Sequence, residues 1–264
     1  MNAPTAAAAM SASTEAAASV ALSVRGVSHR FGETLALDNV SIEVPRGQFV
    51  VLLGLNGAGK STLFSLVTRL YDNVSGEIRI LGHDVRRHPS AALRRLGVVF
   101  QSRTLDSDLS LMQNLMYHAA LHGIGGAEAK ARAHEALETV GLADRAKEKV
   151  RALSGGQARR VEIARSLMHK PALLLLDEAT VGLDLGSRES VVQIVRTLVR
   201  RERLGVLWAT HLFDEVAPGD AIVVLHKGRV LFSGSVPDLL RQTKTETIRN
   251  AFRAITGTNT GEGE

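Results

Sequence analysis

Residues 54–62 read GLNGAGKST, and they directly follow the apolar run Phe49–Leu53. Glycines at Gly54, Gly57 and Gly59 leave room for backbone N–H groups to wrap an anionic polyphosphate. Lys60 adds a positive charge near the β- and γ-phosphates, and the Ser61 hydroxyl can ligate Mg²⁺. Helical spacing begins at once after the loop, and the N-terminus of a helix also favours anions. A buried strand, a glycine loop and a helix therefore predict a nucleotide-phosphate site.

A second apolar run ends in two acidic residues. Four leucines, Leu173–Leu176, precede Asp177 and Glu178. In α/β sheets the ligand lies at the C-terminal ends of the strands, so Asp177 is predicted to ligate Mg²⁺ opposite Ser61. Glu178 is then predicted to orient or deprotonate the attacking water. A strand that simply ends in two solvated acids is the alternative, and the Lys60 loop in the same sheet favours the catalytic interpretation.

Composition limits the classes of function. The chain has 264 residues, 45% of them apolar, with no cysteine and a formal charge of +5. It has no run of about eighteen apolar residues, so no membrane span is predicted. Like charges never form a block of five, and aromatic residues are few, so nucleic acid is not an expected partner. His118 and His122 lie one helical turn apart and are interpreted as surface or packing residues rather than metal ligands.

The pattern along the chain predicts a mixed α/β fold. Residues 1–21, rich in alanine and serine, are predicted to be a disordered tail, residues 22–242 the main domain, and residues 243–264 a C-terminal helix and a loose tail. Residues 103–152 contain helical patterns without a strand and are predicted to be an inserted helical subdomain. A helix is also predicted over Arg188–Arg203, with an apolar stripe on one side. Strands are predicted at Leu22–Val27, Val40–Val44, Phe49–Leu53, Glu77–Leu81, Gly97–Phe100, Ala172–Leu176, Val206–Ala209, Ala221–Leu225 and Arg229–Ser233.

A further motif, LSGGQ at residues 153–157, needs a separate explanation. Ser154 suits a helix N-cap, Gly155 and Gly156 permit close backbone approach, and Gln157 begins a helix predicted to be amphipathic. Its inward residues are predicted to be Val161, Ala164, Leu167 and Met168. A plain helix cap is the simpler interpretation. However, the five residues resemble the signature motif of ABC-type ATPases.

The resemblance covers roughly residues 22–242, in the order of that family's motifs. Gln101 resembles the Q-loop glutamine, and residues 180–184 resemble the D-loop, which implies that Asp184 reaches across a dimer. His211 resembles the switch histidine that binds the γ-phosphate; a lone histidine is more often structural, and its place in the motif order reverses that expectation. Phe31 falls where the family stacks an aromatic ring on adenine, and packing at the end of a strand is its alternative role.

The resemblance implies a P-loop NTPase (ABC ATPase) core with a mixed sheet, an antiparallel β subdomain and an inserted helical subdomain. ATP and Mg²⁺ are the implied cofactors. Ser61, Gln101 and Asp177 are the implied metal ligands, and Glu178, His211 and Gln101 the catalytic residues. The implied nucleotide contacts are Phe31, Gly54, Asn56, Gly57, Gly59, Lys60, Ser61, Thr62, Ser154, Gly155, Gly156, Gln157 and Asp184.

The family's mechanism implies a head-to-tail homodimer that shares two ATP sites, together with a separate integral-membrane permease at the cytoplasmic face of the inner membrane. The stretch at 98–124 resembles the ABC-2 exporter group, and STLFSLVTRLY and VLWATHLFDE resemble the subunit associated with PQQ-dependent alcohol oxidation. Ala179 stands where many relatives have proline, a change that several transport families tolerate. Two alternatives remain open: a soluble ABC ATPase such as a cluster-assembly factor, and a catalytically silent nucleotide-binding regulator.

Overall fold

The computed structural model describes residues 20–257, which form two sheets and the helices around them. The smaller sheet is antiparallel, in the order β2-β1-β4-β5. Its strands are β1 (Val20–Phe31), β2 (Thr34–Pro45), β4 (Ser75–Ile80) and β5 (His83–Asp84).

The larger sheet is mixed, in the order β10-β9-β3-β8-β7-β6. β10 pairs antiparallel with β9, and every other pairing in this sheet is parallel. Its strands are β3 (Phe49–Leu53), β6 (Leu96–Val99), β7 (Leu173–Asp177), β8 (Gly205–Thr210), β9 (Ala221–His226) and β10 (Arg229–Ser235). Because the sheet is mostly parallel, the C-terminal ends of β3, β7 and β8 meet at one edge, where a ligand can bind.

The α-helices of the described residues are α1 (Lys60–Val67), α2 (Pro89–Leu93), α3 (Leu111–Leu121), α4 (Gly126–Thr139), α5 (Gly155–Leu167), α6 (Leu185–Glu202), α7 (Val236–Thr243) and α8 (Ile248–Thr256). Short 3-10 helices cover Ala143–Arg145, Val150–Ala152 and Phe213–Glu215. Between residues 20 and 257, no helix combines the length and the apolar character that crossing a bilayer requires.

Both faces of the larger sheet are covered. Along β3, Val50 and Leu52 pack with α1 and the antiparallel sheet, whereas Phe49, Val51 and Leu53 pack toward the helices on the other side. All five residues are buried. A strand covered on both faces needs apolar residues at every position, which explains the uninterrupted run that the sequence shows.

The structure confirms the predicted fold class and alters several details. β1 begins at Val20, so Val20 and the buried Ala21 belong to a strand rather than to a tail. Residues 1–19 and 258–264 lie outside the described part, so the expected disorder of these tails stays a prediction. The C-terminal helix continues to Thr256. The range 103–152 holds α3, α4 and two short 3-10 helices without a strand, while the exact domain boundaries remain as predicted from the sequence.

The helix after the LSGGQ motif differs from the amphipathic helix that was predicted. Val161, Ala164 and Met168 are buried as expected, but Leu167 is only partly buried. Polar residues of α5 are buried as well, namely Arg159, Glu162 and Ser166. α5 therefore lies inside the protein on nearly all sides. Its charged residues can be buried because they find hydrogen-bond partners there.

Candidate nucleotide site

A cavity of about 560 Å³ opens at the C-terminal edge of the larger sheet. It is lined by Thr34, Leu35, Ala36, Asn56, Gly57, Ala58, Gly59, Lys60, Ser61, Thr62, Gln101, Glu178, Lys227 and Gly228. Residues of the glycine loop, the Q-loop glutamine and the glutamate after β7 therefore lie around one space, as the sequence predicted they would.

The glycine loop needs glycine for two physical reasons. Gly59 has φ 109°, in the left-handed region, and a Cβ there would lie 2.9 Å from the Ala36 carbonyl oxygen. At Gly54 a Cβ would lie 2.6 Å from the Leu225 carbonyl oxygen. Gly59 is also the N-cap of α1 and has no side chain to accept a hydrogen bond from the helix. The first N–H groups of α1 are therefore left for a phosphate at the helix N-terminus.

Lys60 is buried, and its ammonium group is held by three oxygen atoms. Its Nζ donates to the carbonyls of Gly54 at 2.7 Å and Leu55 at 3.3 Å. It also forms an ion pair of 3.1 Å with Oε1 of Glu178. Because a buried charge requires compensation, these three oxygens hold the ammonium group in place beside the cavity, next to the loop predicted to wrap the phosphates.

Asp177 fits a divalent metal ion. Its carboxyl group is buried near the Ser61 hydroxyl, and its Oδ1 is without a hydrogen-bond partner among the residues described. Burial is the main cause that raises the pKa of Asp177 above its ordinary value, and the Ser61 hydroxyl opposes it. An unpaired buried carboxylate oxygen next to a hydroxyl is a donor set of the kind Mg²⁺ accepts.

Glu178 gathers the remaining predicted catalytic groups. Nδ1 of His211 lies 3.1 Å from its Oε1, and Nε2 of Gln101 donates to its Oε2 at 3.3 Å. Burial on its own raises the pKa of Glu178, but hydrogen bonds from Lys60 and His211 outweigh it, so the pKa lies below its ordinary value. The carboxylate is therefore ionised at neutral pH, as a base requires.

The backbone of Glu178 is strained. Its φ is 47°, in the left-handed region, which costs a residue other than glycine about 1–3 kcal/mol. The conformation is held by its N–H, which donates to the Ala209 carbonyl at 3.0 Å. Glu178 follows β7 directly, and in this conformation its side chain lines the cavity.

The LSGGQ residues lie elsewhere on the same chain. None of Ser154, Gly155, Gly156 and Gln157 lines the cavity. Instead, Ser154 caps α5: its Oγ accepts from the Gln157 N–H at 3.2 Å, and the Gln157 side chain accepts from the Ser154 N–H at 3.0 Å. A Cβ on Gly156 would lie 2.6 Å from Cβ of Ser187, so glycine lets α5 approach α6 closely.

Two other predicted nucleotide contacts also have partners outside the cavity. Asp184 is exposed, and its carboxylate caps α6 by accepting from the Ser187 N–H at 2.9 Å. Phe31 is 46% exposed, and its ring contacts the edges of His29 and Tyr71 at centroid distances of 4.6 and 5.5 Å. Neither residue lines the cavity. Adenine stacking by Phe31 and the reach of Asp184 across a dimer remain predictions.

Two buried charged residues of α5, Arg159 and Glu162, hold the loop that carries Gln101. The Arg159 guanidinium donates to the carbonyls of Phe100 at 2.6 Å and Gln101 at 2.8 Å, and to Glu162 at 2.7 Å. The other carboxylate oxygen of Glu162 accepts from the Thr104 N–H at 2.7 Å. The loop from Phe100 to Thr104 is therefore attached to α5 by its main chain.

Part of the cavity wall was not predicted from the sequence. Thr34, Leu35 and Ala36, at the start of β2, and Lys227 and Gly228, in the turn between β9 and β10, all line it. Gly228 has φ 77°, and its N–H donates to the Ala58 carbonyl. Gly228 indicates a turn in the sequence, but only the packing of that turn on the glycine loop shows that it forms part of the cavity wall.

Comparison with known proteins agrees with this geometry. The family model described as ABC transporter matches residues 37–181. The chain is 39% identical to a methionine import ATP-binding protein of Rhizobium etli, over 91% of this chain and 68% of that protein. It is 38% identical to a daunorubicin resistance ATP-binding protein of Streptomyces coeruleorubidus, over 89% of this chain and 75% of that protein.

A solved structure adds the chemistry. The dimeric structure of an ATP-binding cassette in a post-hydrolysis state, bound to ADP and Pi, superposes with a TM-score of 0.71 at 28% identity. The match covers 81% of this chain and 98% of that chain. Together with the cavity around Lys60 and Glu178, these similarities show that the chain belongs to the ABC transporter family, as an ATP-binding subunit that hydrolyses ATP to drive transport.

Proposed function

We propose that two copies of this chain associate head to tail and enclose two ATP molecules. The observation that carries the proposal is the separation of two anion-binding helix ends on one chain. The N-terminus of α1 borders the cavity, whereas the N-terminus of α5, capped by Ser154, does not. A partner copy that presents its α5 to the cavity would complete each site, and ATP would then hold the dimer together.

In this proposal the Lys60–Glu178 ion pair changes partners when ATP binds. The polyphosphate carries more negative charge than one carboxylate, so Lys60 turns toward the phosphates and Glu178 is released to orient water. His211 and Gln101 would keep their contacts with Glu178, and His211 would also bind the γ-phosphate. Mg²⁺, when bound, neutralises phosphate charge, and Ser61, Asp177 and Gln101 are the residues that would hold it.

We also propose that the transporter is an exporter of the ABC-2 group. The daunorubicin resistance relative and the resemblance of residues 98–124 to that group support this direction. The methionine import relative has nearly the same identity, so direction requires its own measurement. The resemblance to the subunit associated with PQQ-dependent alcohol oxidation stays a prediction. A soluble cluster-assembly ATPase, one of the two alternatives from the sequence, is not favoured.

The proposed permease docks at the cytoplasmic face of the membrane, against the cleft beside Gln101 and residues 103–110. Gln101 is exposed there, and the adjoining main chain is fixed to α5 through Arg159. A permease that presses on this segment would therefore act on both the catalytic glutamine and the LSGGQ helix.

The test is capture of the Glu178→Gln chain from membranes of the source cells in the presence of ATP. Loss of the base should slow hydrolysis by about 10²–10⁴-fold and leave ATP binding intact, so ATP-bound dimers should accumulate on their partner. A polytopic membrane protein should co-purify. With that permease in vesicles, parental chain and ATP outside, cargo should move from outside to inside, which is the export direction.

The matched control is Ser154→Arg, which should bind ATP as a monomer but capture no ATP-dependent complex. Recovery of a soluble scaffold or ribosomal particles instead of a membrane protein would contradict the transporter proposal. Movement of cargo toward the side that holds ATP would contradict export alone.

A further inference from the structure

Three histidines that the nucleotide chemistry does not use come together at the far end of the helical region. His118 lies on α3, His122 is the C-cap of α3, and His169 follows α5 just before β7. One ring nitrogen of each lies within 4.8 Å of the others. We call these residues the histidine cluster. The sequence brings only the first two together, which is why they were interpreted as packing or surface residues.

Two ring nitrogens of the histidine cluster make no hydrogen bond with the described part of the chain. Nε2 of His118 and Nδ1 of His169 are buried and have no hydrogen-bond partner within residues 20–257. Nε2 of His169 lies 3.0 Å from the Leu96 carbonyl and must donate to it, because a carbonyl can only accept. The Nδ1 of His169 is then unprotonated, and its lone pair is the one that remains for a metal ion. A histidine oriented by a carbonyl in this way is the usual arrangement of a metal ligand.

We propose that His118, His122 and His169 bind one Zn²⁺ ion, with water in the fourth position. Three imidazoles and an open site form a donor set that suits zinc, which prefers nitrogen ligands at about 2.0–2.1 Å. Because two ligands come from α3 and the third precedes β7, the ion would fasten the helical region to the edge of the larger sheet.

Two basic groups, Arg132 and Arg165, lie near the cluster, and each lowers the pKa of one of its histidines, so their charge works against a cation there. Arg132 pairs with Glu128 and donates to the Met168 carbonyl, and Arg165 donates to Thr104 and lies near Glu162. Each positive charge is therefore partly compensated.

The ends of two helices add a favourable field. α3 ends at Leu121 and α5 at Leu167, so the negative ends of both helix dipoles face this place. Burial, foremost, lowers the pKa of His118 to about 3 and that of His169 to about 4. Both imidazoles are consequently neutral at pH 7 and do not need to lose a proton before they bind a metal.

Metal binding requires one local movement. The rings of His122 and His169 are stacked, with centroids 4.0 Å apart and planes at 3°. A metal must lie in the plane of each imidazole that binds it, so one ring has to turn out of the stack. His122 is partly exposed at the end of its helix and can rotate. Tetrahedral geometry then brings the ligand nitrogens to about 3.3 Å from one another.

The experiment measures Zn²⁺ binding to untagged full-length protein stripped of metal, in competition with a chromophoric chelator at pH 7.5. One ion should bind per chain, and the melting temperature should rise with zinc concentration. Co²⁺ in its place should give the intense visible absorption of a tetrahedral site. His122→Gln and His169→Gln should each weaken zinc binding at least about 100-fold. Losing a ligand should weaken binding more than losing a residue that only hydrogen-bonds to a ligand, which costs about 10–100-fold.

The matched control is His134→Gln, on α4, whose histidine pairs with Glu138 outside the cluster. It should bind zinc like the parent, and all variants should keep ATP affinity, which reports correct folding. Absence of saturable one-to-one binding, or equal loss in His134→Gln, would overturn the proposal. Retention of parental affinity by His169→Gln would do the same. None of these outcomes bears on the proposed export function, since each is read without a permease.

Discussion

Two helix N-termini of this protein, those of α1 and α5, have similar glycine-rich sequences and opposite local chemistry. The N-cap of α1 is Gly59, which offers the helix no side chain. The N-cap of α5 is Ser154, which exchanges two hydrogen bonds with Gln157. α1 begins with a buried cation, Lys60, whereas the first turn of α5 has no charged residue.

The difference teaches how a helix end is prepared for an anion. The N–H groups of α1 are unsatisfied within the loop, so a phosphate supplies what the chain itself lacks. α5 already satisfies one of its N–H groups, so it is stable without nucleotide and can present its remaining donors to a ligand held by another chain. The first end is a binding site in the monomer, and the second is a contact surface.

The largest expected effect separates nucleotide binding at these two ends. Lys60→Ala removes the buried cation beside the phosphates and leaves the Glu178 carboxylate without its lysine partner, so ATP affinity of the monomer should fall at least about 30-fold, corresponding to about 2–5 kcal/mol. Ser154→Arg should leave that affinity unchanged and abolish ATP-dependent dimers. Calorimetric titration and light scattering measure the two quantities. Equal loss of ATP affinity in both variants would show that α5 acts on the nucleotide of its own chain.

A smaller effect is expected where α5 touches α6. In Gly156→Ala the new Cβ would lie 2.6 Å from Cβ of Ser187, and overpacking of this kind lowers the free energy of unfolding by about 1–3 kcal/mol. In Gly155→Ala the nearest atom is the end of the flexible Arg103 side chain at 2.8 Å, which can move. Urea denaturation should therefore separate two neighbouring substitutions of the same kind. Similar stability of the two variants would mean that α6 shifts near Ser187 and makes room for the new methyl group.

The smallest effect tests whether the cap of α5 has more than a local role. Ser154→Ala and Ser110→Ala each remove one capping box, since Ser110 and Gln113 form the same pair of bonds on α3. Each should cost about 1 kcal/mol of stability in urea. Only Ser154→Ala should also slow ATP hydrolysis by the isolated protein. If Ser110→Ala slowed hydrolysis equally, the effect would come from stability and not from the ATP site.

The sequence predicted the parts of the site that lie on regular elements. The apolar run before Asp177 reads as a covered strand because every position of β7 is buried, and the position of the acids follows from the strand's end. Likewise, Gly57 and Gly59 have a positive φ that other residues rarely adopt, and Gly54 leaves room for the Leu225 carbonyl, so the spacing of these glycines predicts the loop's geometry.

Features that depend on tertiary packing were not predictable in the same way. An amphipathic pattern places charged residues such as Arg159 and Glu162 on the surface, but both are buried. In a sequence, a buried ion pair cannot be distinguished from surface charges. The cavity wall at Lys227 comes from a turn that only the folded sheet brings to the glycine loop. The histidine cluster brings His169 next to His122, although α4 and α5 lie between them in the sequence. Helical or strand periodicity relates only residues that are close in sequence, so it could not predict this contact.

The attachment of Arg159 to the main chain of Gln101 has a mechanical consequence. Separating them would break the hydrogen bonds from the Arg159 guanidinium to the Phe100 and Gln101 carbonyls. Bonds to a charged group contribute about 1.5–3 kcal/mol each, so the loop and the first turns of α5 move as one rigid unit. In the proposed dimer each such unit would contain Gln101 of one ATP site and the LSGGQ helix end that closes the other site. The two ATP sites would then be coupled, and a permease that displaces one loop would move residues of both sites.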